Sequence, residues 1–259
     1  MSEANAIMAI SFRDLMKLLR DPARIAATFV FPLLFIGVLG GSMQSNFGRS
    51  AGYDFLPFVF TGVLAQTIFQ STAMGVISLI EDRQNDFSQE MFVSPISRYS
   101  IIFGKILGET LVAFPQGAVI VAFGLLIGVP ISWAQLLGLL IVSPVICLFG
   151  GAFGILMLAG FNSQRTANQV FPFVLFPQFF TAGVFTPIKV LPPVLEFLSR
   201  ISPMRYAVDL TRNVFYAGHP DYANVTLDSP ALNTAVVVAL FVVFLIAGTA
   251  VFVRNERNR

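Results

Sequence analysis

Long apolar tracts alternate with shorter polar connections along the chain, and the tracts set the first expectation. A helix needs about 20 apolar residues to cross roughly 30 Å of hydrocarbon, where it satisfies its own backbone hydrogen bonds. Six tracts qualify, at residues 25–43, 58–80, 106–129, 136–158, 167–185 and 232–253. The pattern predicts an all-α membrane protein with six transmembrane helices. Pro32, Pro115, Pro144, Pro172 and Pro177 fall inside these tracts and read as kinks that neighbouring helices tolerate. The fifth tract holds two of them and is the one expected to be broken.

The chain then divides into a cytoplasmic segment, 1–24, a single six-span domain, 25–253, and a tail, 254–259. With both termini inside, 11 of the Lys and Arg residues flank the inner span ends and five the outer ones. That bias predicts a multi-pass protein of the cell membrane with cytoplasmic termini. The first tract follows charged sequence and lacks a small-residue cleavage pattern, so no removable signal peptide is expected.

Three connecting segments carry pattern of their own. In the first, Phe12, Leu15, Met16 and Leu19 repeat at i, i+3, i+4, i+7 while Arg13, Lys17, Arg20 and Arg24 line another face. This predicts an interfacial amphipathic helix on anionic lipid. The inner loop, 81–104, opens with Glu81, Asp82 and Arg83 and breaks at Ser94-Pro95. Phe87, Met91 and Ser94 share one helical face there, with Phe92 beside it and Ser88 and Glu90 elsewhere, a short helix that either meets a cytosolic partner or lies on the membrane. The outer segment, 186–231, places Leu191, Leu195 and Leu198 at helical spacing. Arg205, Asp209 and Arg212 follow at i, i+4, i+7. Two short helices joined at Ser202-Pro203, dipping back into the membrane with their charges paired internally, fit this pattern.

Composition sharpens the membrane reading. The chain is 56% hydrophobic and 12% charged, and of its 16 Lys and Arg and 14 Asp and Glu only Glu109 falls inside a span. Lys105, four residues earlier, predicts a snorkelling ion pair at the inner boundary. Phe dominates the aromatics, 28 against five Tyr and one Trp, and the Tyr and Trp lie outside the tracts or at their edges. A net charge of +2 without a basic, aromatic-interleaved patch argues against nucleic acid.

Catalytic chemistry is sparse. Cys147 and His219 are the only residues of their types, which disfavours a disulfide framework, a metal site or a nucleophile–histidine pair. No phosphate loop of the GxxxxGK[ST] kind is present. Glu81, Asp82, Asp86 and Glu90 read as a solvated loop face. Within the spans, Gln66 and Gln70, flanked by Thr67 and Ser71, form a polar trace with Gln116, Gln169 and Gln178. These either line a substrate path or bond helix to helix. GxxxG spacings at 37–41, 124–128 and 150–154 predict close helix packing.

The chain resembles the type-2 permease subunits of ATP-binding-cassette exporters over nearly its whole length. The residues that carry the resemblance are Glu81-Asp82-Arg83, Phe87 to Val93 followed by Ser94-Pro95-Ile96-Ser97-Arg98, Gly104-Lys105, Ala182 to Pro187, Leu191-Pro192, and Ser202-Pro203-Met204-Arg205-Tyr206 through Asp209 to Arg212. Many members have Gly-Thr before the acidic residue where this chain has Ser88-Gln89-Glu90. The resemblance implies a coupling helix, Phe87 to Pro95, seated in an ATPase subunit, and a re-entrant outer hairpin at Pro203 to Arg212. It implies two permease copies, by default a homodimer, with two ATPase chains that hold the ATP and magnesium. This chain itself would carry no catalytic site and no cofactor. Drug-like, lipid-like or glycolipid and polysaccharide substrates would move outward as the bundle alternates between two states. The alternative readings are an ion-coupled transporter or channel without an ATPase partner, and a membrane-embedded enzyme.

Overall fold

The computed structural model describes residues 3–47, 53–84, 97–161, 163–188 and 192–257, and every regular element among them is helical. In chain order, α1 (Glu3–Leu19) precedes α2 (Pro22–Leu34), which runs through a π-helical stretch, Phe35–Gly40, into α3 (Gly41–Phe47). A tight turn separates α4 (Phe55–Gly75) from α5 (Ser78–Gln84). Then come α6 (Arg98–Leu126), α7 (Trp133–Leu158), α8 (Gln164–Thr181), α9 (Pro193–Ile201), α10 (Pro203–Phe215), α11 (Tyr222–Val225) and α12 (Pro230–Arg257).

Five stretches are long and apolar enough to cross a membrane: Thr28–Asn46, Phe55–Asp82, Arg98–Leu126, Trp133–Leu158 and Tyr222–Asn255. They fall on the first, second, third, fourth and sixth apolar tracts. The fifth tract forms α8, shorter and more polar than these, with Gln164, Asn168, Gln169 and Gln178 in its sequence. Contrary to expectation α8 is continuous through Pro172 and Pro177. The irregularity sits instead in the first span. Pro32 cannot donate a backbone hydrogen bond one turn back, and the helix widens into the π stretch three residues later.

α4 is the axis of the bundle. Its residues from Pro57 to Phe69 are buried on every side, as an all-round apolar helix requires, and α6, α7, α10 and the π stretch surround it. α7 crosses α4 at Gly150 and Gly154, where a Cβ would come 3.0 Å from the Phe69 carbonyl carbon and 2.9 Å from the Ala73 Cα. The 150–154 spacing therefore packs two backbones, as predicted. The other two spacings do not work as pairs. Gly128, at φ +89, ends α6, and Val129 N–H donates back to the Gly124 carbonyl at 2.9 Å. Gly41 has no neighbour among the described residues within contact of an added Cβ.

The two helices expected around Ser202-Pro203 are α9 and α10, with Pro203 opening α10 where its missing N–H costs nothing. They behave differently. α9 leaves Val194, Phe197 and Ile201 exposed, whereas α10 is wedged between α4, α7, α8 and α12 and buries most of its side chains.

Candidate functional site

At one end of the bundle, α1 closes on the base of α6 through a chain of charges. Gly104 and Gly108, one turn apart on α6, let the α1 backbone approach; a Cβ at either would meet Ile7 or Ser11 at 3.1 Å. Ser11 Oγ donates to the Gly104 carbonyl at 2.9 Å. Beside it Lys105 Nζ binds Asp14 Oδ2 at 2.6 Å and Glu109 Oε1 at 2.9 Å, and all three side chains are buried. Asp14 also takes Arg13 at 3.1 Å. Arg13 continues to Asp82, which Lys17 joins at 3.3 Å. Six charges on α1, α5 and α6 thus form one connected, balanced network.

This network corrects two expectations. Lys105 does not snorkel: it is 1% exposed, because Asp14 compensates its charge where it lies. Asp82 is not a solvated loop residue but is 5% exposed and paired. α1 packs on the protein through Ala6, Ile10, Asp14 and Leu18, which leaves Phe12 and Leu19 exposed and Leu15 and Met16 half-buried. Arg20 is exposed. Glu81 accepts a long hydrogen bond from Gln164 at 3.4 Å.

α1 also reaches the far edge of the same loop. The Glu3 carboxylate accepts the Ser97 backbone N–H at 3.0 Å, and hydrogen bonding from the Ser100 hydroxyl, then from Ser97, holds its pKa below the ordinary carboxylate value. One helix therefore grips the chain before residue 85, at Asp82, and after residue 96, at Ser97. The expected coupling residues Phe87, Ser88, Glu90, Met91, Phe92, Ser94 and Pro95 lie outside the described residues, as do the side chains of Arg24 and Arg83.

A cleft of about 550 Å³ opens between α2, α4, α6 and α8, a size typical of small-molecule sites. Gln66, Gln70 and Gln116 all line it, with Thr67, Asn168 and an aromatic wall that includes Phe31 and Phe176. Gln66 donates to Gln70 at 2.9 Å, and Gln70 to the Met74 sulfur at 3.6 Å. Gln116 Oε1 and Thr67 Oγ1, both buried, have no hydrogen-bond partner among the described residues. Buried polar atoms without partners are costly, so both side chains gain by any small rotation that turns these atoms toward a polar group in the cleft. Gln178 is placed elsewhere. Its carbonyl oxygen accepts Ser202 Oγ at 3.2 Å and Met204 N–H at 3.3 Å, seating the start of α10.

At the other end, α10 is held by a polar knot. Arg205 pairs with Asp228 at 3.1 Å, and Tyr206 donates to the Arg200 carbonyl at 2.9 Å. Asp209 accepts the Leu227 and Asp228 N–H groups, each at 2.9 Å, and Asn233 Nδ2 at 2.7 Å. Arg212 leaves this scheme: fully buried, it donates to the Gly183 carbonyl at 2.8 Å and to the Phe58 carbonyl at 3.3 Å, its guanidinium 3.7 Å from the Phe58 ring centre. Arg205 thus pairs with Asp228 within the 186–231 segment and Asp209 is held by that segment's backbone and by Asn233 of α12, while Arg212 ties α10 to α4 and to the turn after α8.

Residues 5–216 match the family model described as ABC-2 type transporter. The chain belongs to that family. Nodulation protein J of Neorhizobium galegae is 24% identical over 226 residues, covering 85% of this chain and 84% of its own. The inner membrane transport permease YadH of Escherichia coli (strain K12) is 23% identical over 214 residues, covering 81% and 79%. YbhR of the same organism, by name a probable multidrug ABC transporter permease, is 28% identical over 162 residues, or 59% of this chain and 43% of its own.

As an ABC-2 permease the chain is a transmembrane subunit of an ABC transporter, and the family implies partnership with an ABC ATPase subunit. Several residues of this permease's network were not singled out from sequence. Asp14 shares a helix face with Ile10 and Leu18, at i and i±4, so its burial was readable from periodicity. The Gly104–Gly108 spacing was equally readable. Asn213 and Asn233, joined at 2.8 Å, carry no sequence signal, since their partners are brought together only by the fold.

Proposed function

We propose that this permease is half of an ATP-driven exporter, paired with a second copy of itself and with two separate ATPase chains. The polar cleft between α2, α4, α6 and α8 is the observation that carries the transport reading. It sets the amide and hydroxyl side chains of Gln66, Gln70, Gln116 and Thr67 against an aromatic wall, the mixed chemistry an amphipathic substrate needs. Drug-like and lipid-like molecules fit that chemistry better than polysaccharide. In this reading α8 is a sixth span, α1 rests on the inner leaflet through Phe12 and Leu19, the α9–α10 hairpin re-enters the membrane from outside, and both termini are cytoplasmic.

The loop between Asp82 and Ser97 is the coupling element. ATP-driven closure of the ATPase pair moves it, and because α1 holds both its edges the motion passes to the base of α6 as a rigid-body shift. Co-purification tests the partnership. An ATPase encoded next to the permease should be retained by the intact chain and lost when residues 87–94 are deleted; retention after deletion would remove the loop from the interface.

A further inference from the structure

A second cavity, of about 340 Å³, lies on the other side of the α4–α6 contact, between α4, α6 and α7. Leu64 and Ile68 of α4 form its floor, Gly117 and Ala122 of α6 leave it open, and Leu136 and Cys147 of α7 mark its ends. The lining is apolar. Its hydroxyl, Ser143, already donates to the Leu139 carbonyl at 2.6 Å, so nothing inside calls for a polar ligand. The mouth carries Leu125 and Leu140, 52% and 57% exposed, and all three walls belong to stretches able to cross a membrane.

The dimensions select the occupant. From Leu136 to Cys147 along α7 is about 16 Å at the helical rise, close to the roughly 15 Å that one leaflet contributes to the hydrocarbon core. Trp133, the only tryptophan of the chain, stands one turn above Leu136 and is 81% exposed, the placement of an interfacial anchor. The cavity therefore starts just below a membrane–water boundary and ends near the midplane. Even with the open space at its mouth counted, about 870 Å³, the cavity spread over that length has a cross-section of about 53 Å², against about 80 Å² for a helix with its side chains. A second copy of the chain cannot insert a helix there, whereas a single hydrocarbon chain can.

We propose that this cavity is a lipid site that holds one acyl chain of a bilayer phospholipid from the leaflet on the Trp133 side, with the headgroup level with Trp133. The chain fills space that helix packing leaves empty, and it sets the distance between α6 and α7 beside the helix that also walls the polar cleft. The proposal rests on the membrane assignment of α4, α6 and α7 and is independent of ATPase coupling.

The test is photo-crosslinking of the full-length permease in nanodiscs of phosphatidylethanolamine and phosphatidylglycerol that include a phospholipid with a chain-end diazirine. The expected result is label concentrated on residues 113–122 of α6 and 139–147 of α7, reduced at least fivefold by Ala122→Phe. Label on the exposed α12 residues Val243 and Ile246 should stay unchanged, as should cavity label in Ile141→Phe, whose side chain is 73% exposed and outside the cavity lining. If Ala122→Phe does not give a monodisperse protein, Ala122→Leu is read the same way. Even labelling of all lipid-facing helices, or cavity label undiminished by the folded filling variant, would overturn the proposal.

Discussion

Lys105 Nζ lies 2.6 Å from Asp14 Oδ2, a buried ion pair between the first helix and the base of α6. Glu109 completes the site, its carboxylate fitted over Gly75, where a Cβ would overlap it. Such a cluster is fragile to partial removal. Lys105→Met removes the cation shared by two buried carboxylates and should cost about 3–5 kcal/mol, read as a large drop in the thermal unfolding midpoint of the detergent-purified protein. The triple variant Asp14→Asn, Lys105→Met, Glu109→Gln should recover most of that loss. A single variant as stable as the parent would mean the network is not compensated as described.

The Arg13–Asp82 link is expected to matter for coupling more than for folding, because Arg13 is partly exposed. Arg13→Asp should leave a folded permease whose partner ATPase is no longer stimulated by substrate, and the exchange Arg13→Asp with Asp82→Arg should restore stimulation. Failure of the exchange to rescue, with both proteins folded, would argue that each residue acts on its own.

Glu3 gives the clasp a pH dependence. Its folded pKa is lowered by the Ser100 and Ser97 hydrogen bonds, so its contribution is fully present above the ordinary carboxylate value of about 4.3 and is lost as pH falls through the lowered folded value. Exchange of the Ser97 amide hydrogen, corrected for intrinsic rate, should be protected at neutral pH and lose protection in strong acid. Glu3→Gln should flatten that profile.

Gly154 and Gly41 separate packing from mere spacing. Gly154→Leu drives a side chain into the Ala73 backbone and should abolish folded protein on size-exclusion chromatography. Gly41→Ala meets open space and should be neutral or stabilise by up to about 1 kcal/mol.

What the sequence made legible follows from the range of each interaction. The tracts at 58–80, 106–129, 136–158 and 232–253 announce themselves because membrane insertion depends on local apolarity alone, and α9 and α10 because Pro203 and helical periodicity are local too. Gln116 and Gln178 look alike in sequence, yet one lines the cleft with a free oxygen and the other seats α10. That difference is made by Ser202 and Met204, 24 and 26 residues beyond Gln178. The pairing of Lys105 with Asp14 spans 91 positions. A lysine one turn from Glu109 gave a sufficient local explanation, so the second partner was hidden.

The proposed entry point for movement into this permease is the loop between Asp82 and Ser97. It is tested most directly by reconstituting the permease with its ATPase in proteoliposomes and measuring transport alongside substrate-stimulated ATP hydrolysis for Phe87→Asp and Met91→Asp. Both variants should be folded, membrane-inserted permeases that have lost both activities. Full transport and full stimulation in either variant would contradict it.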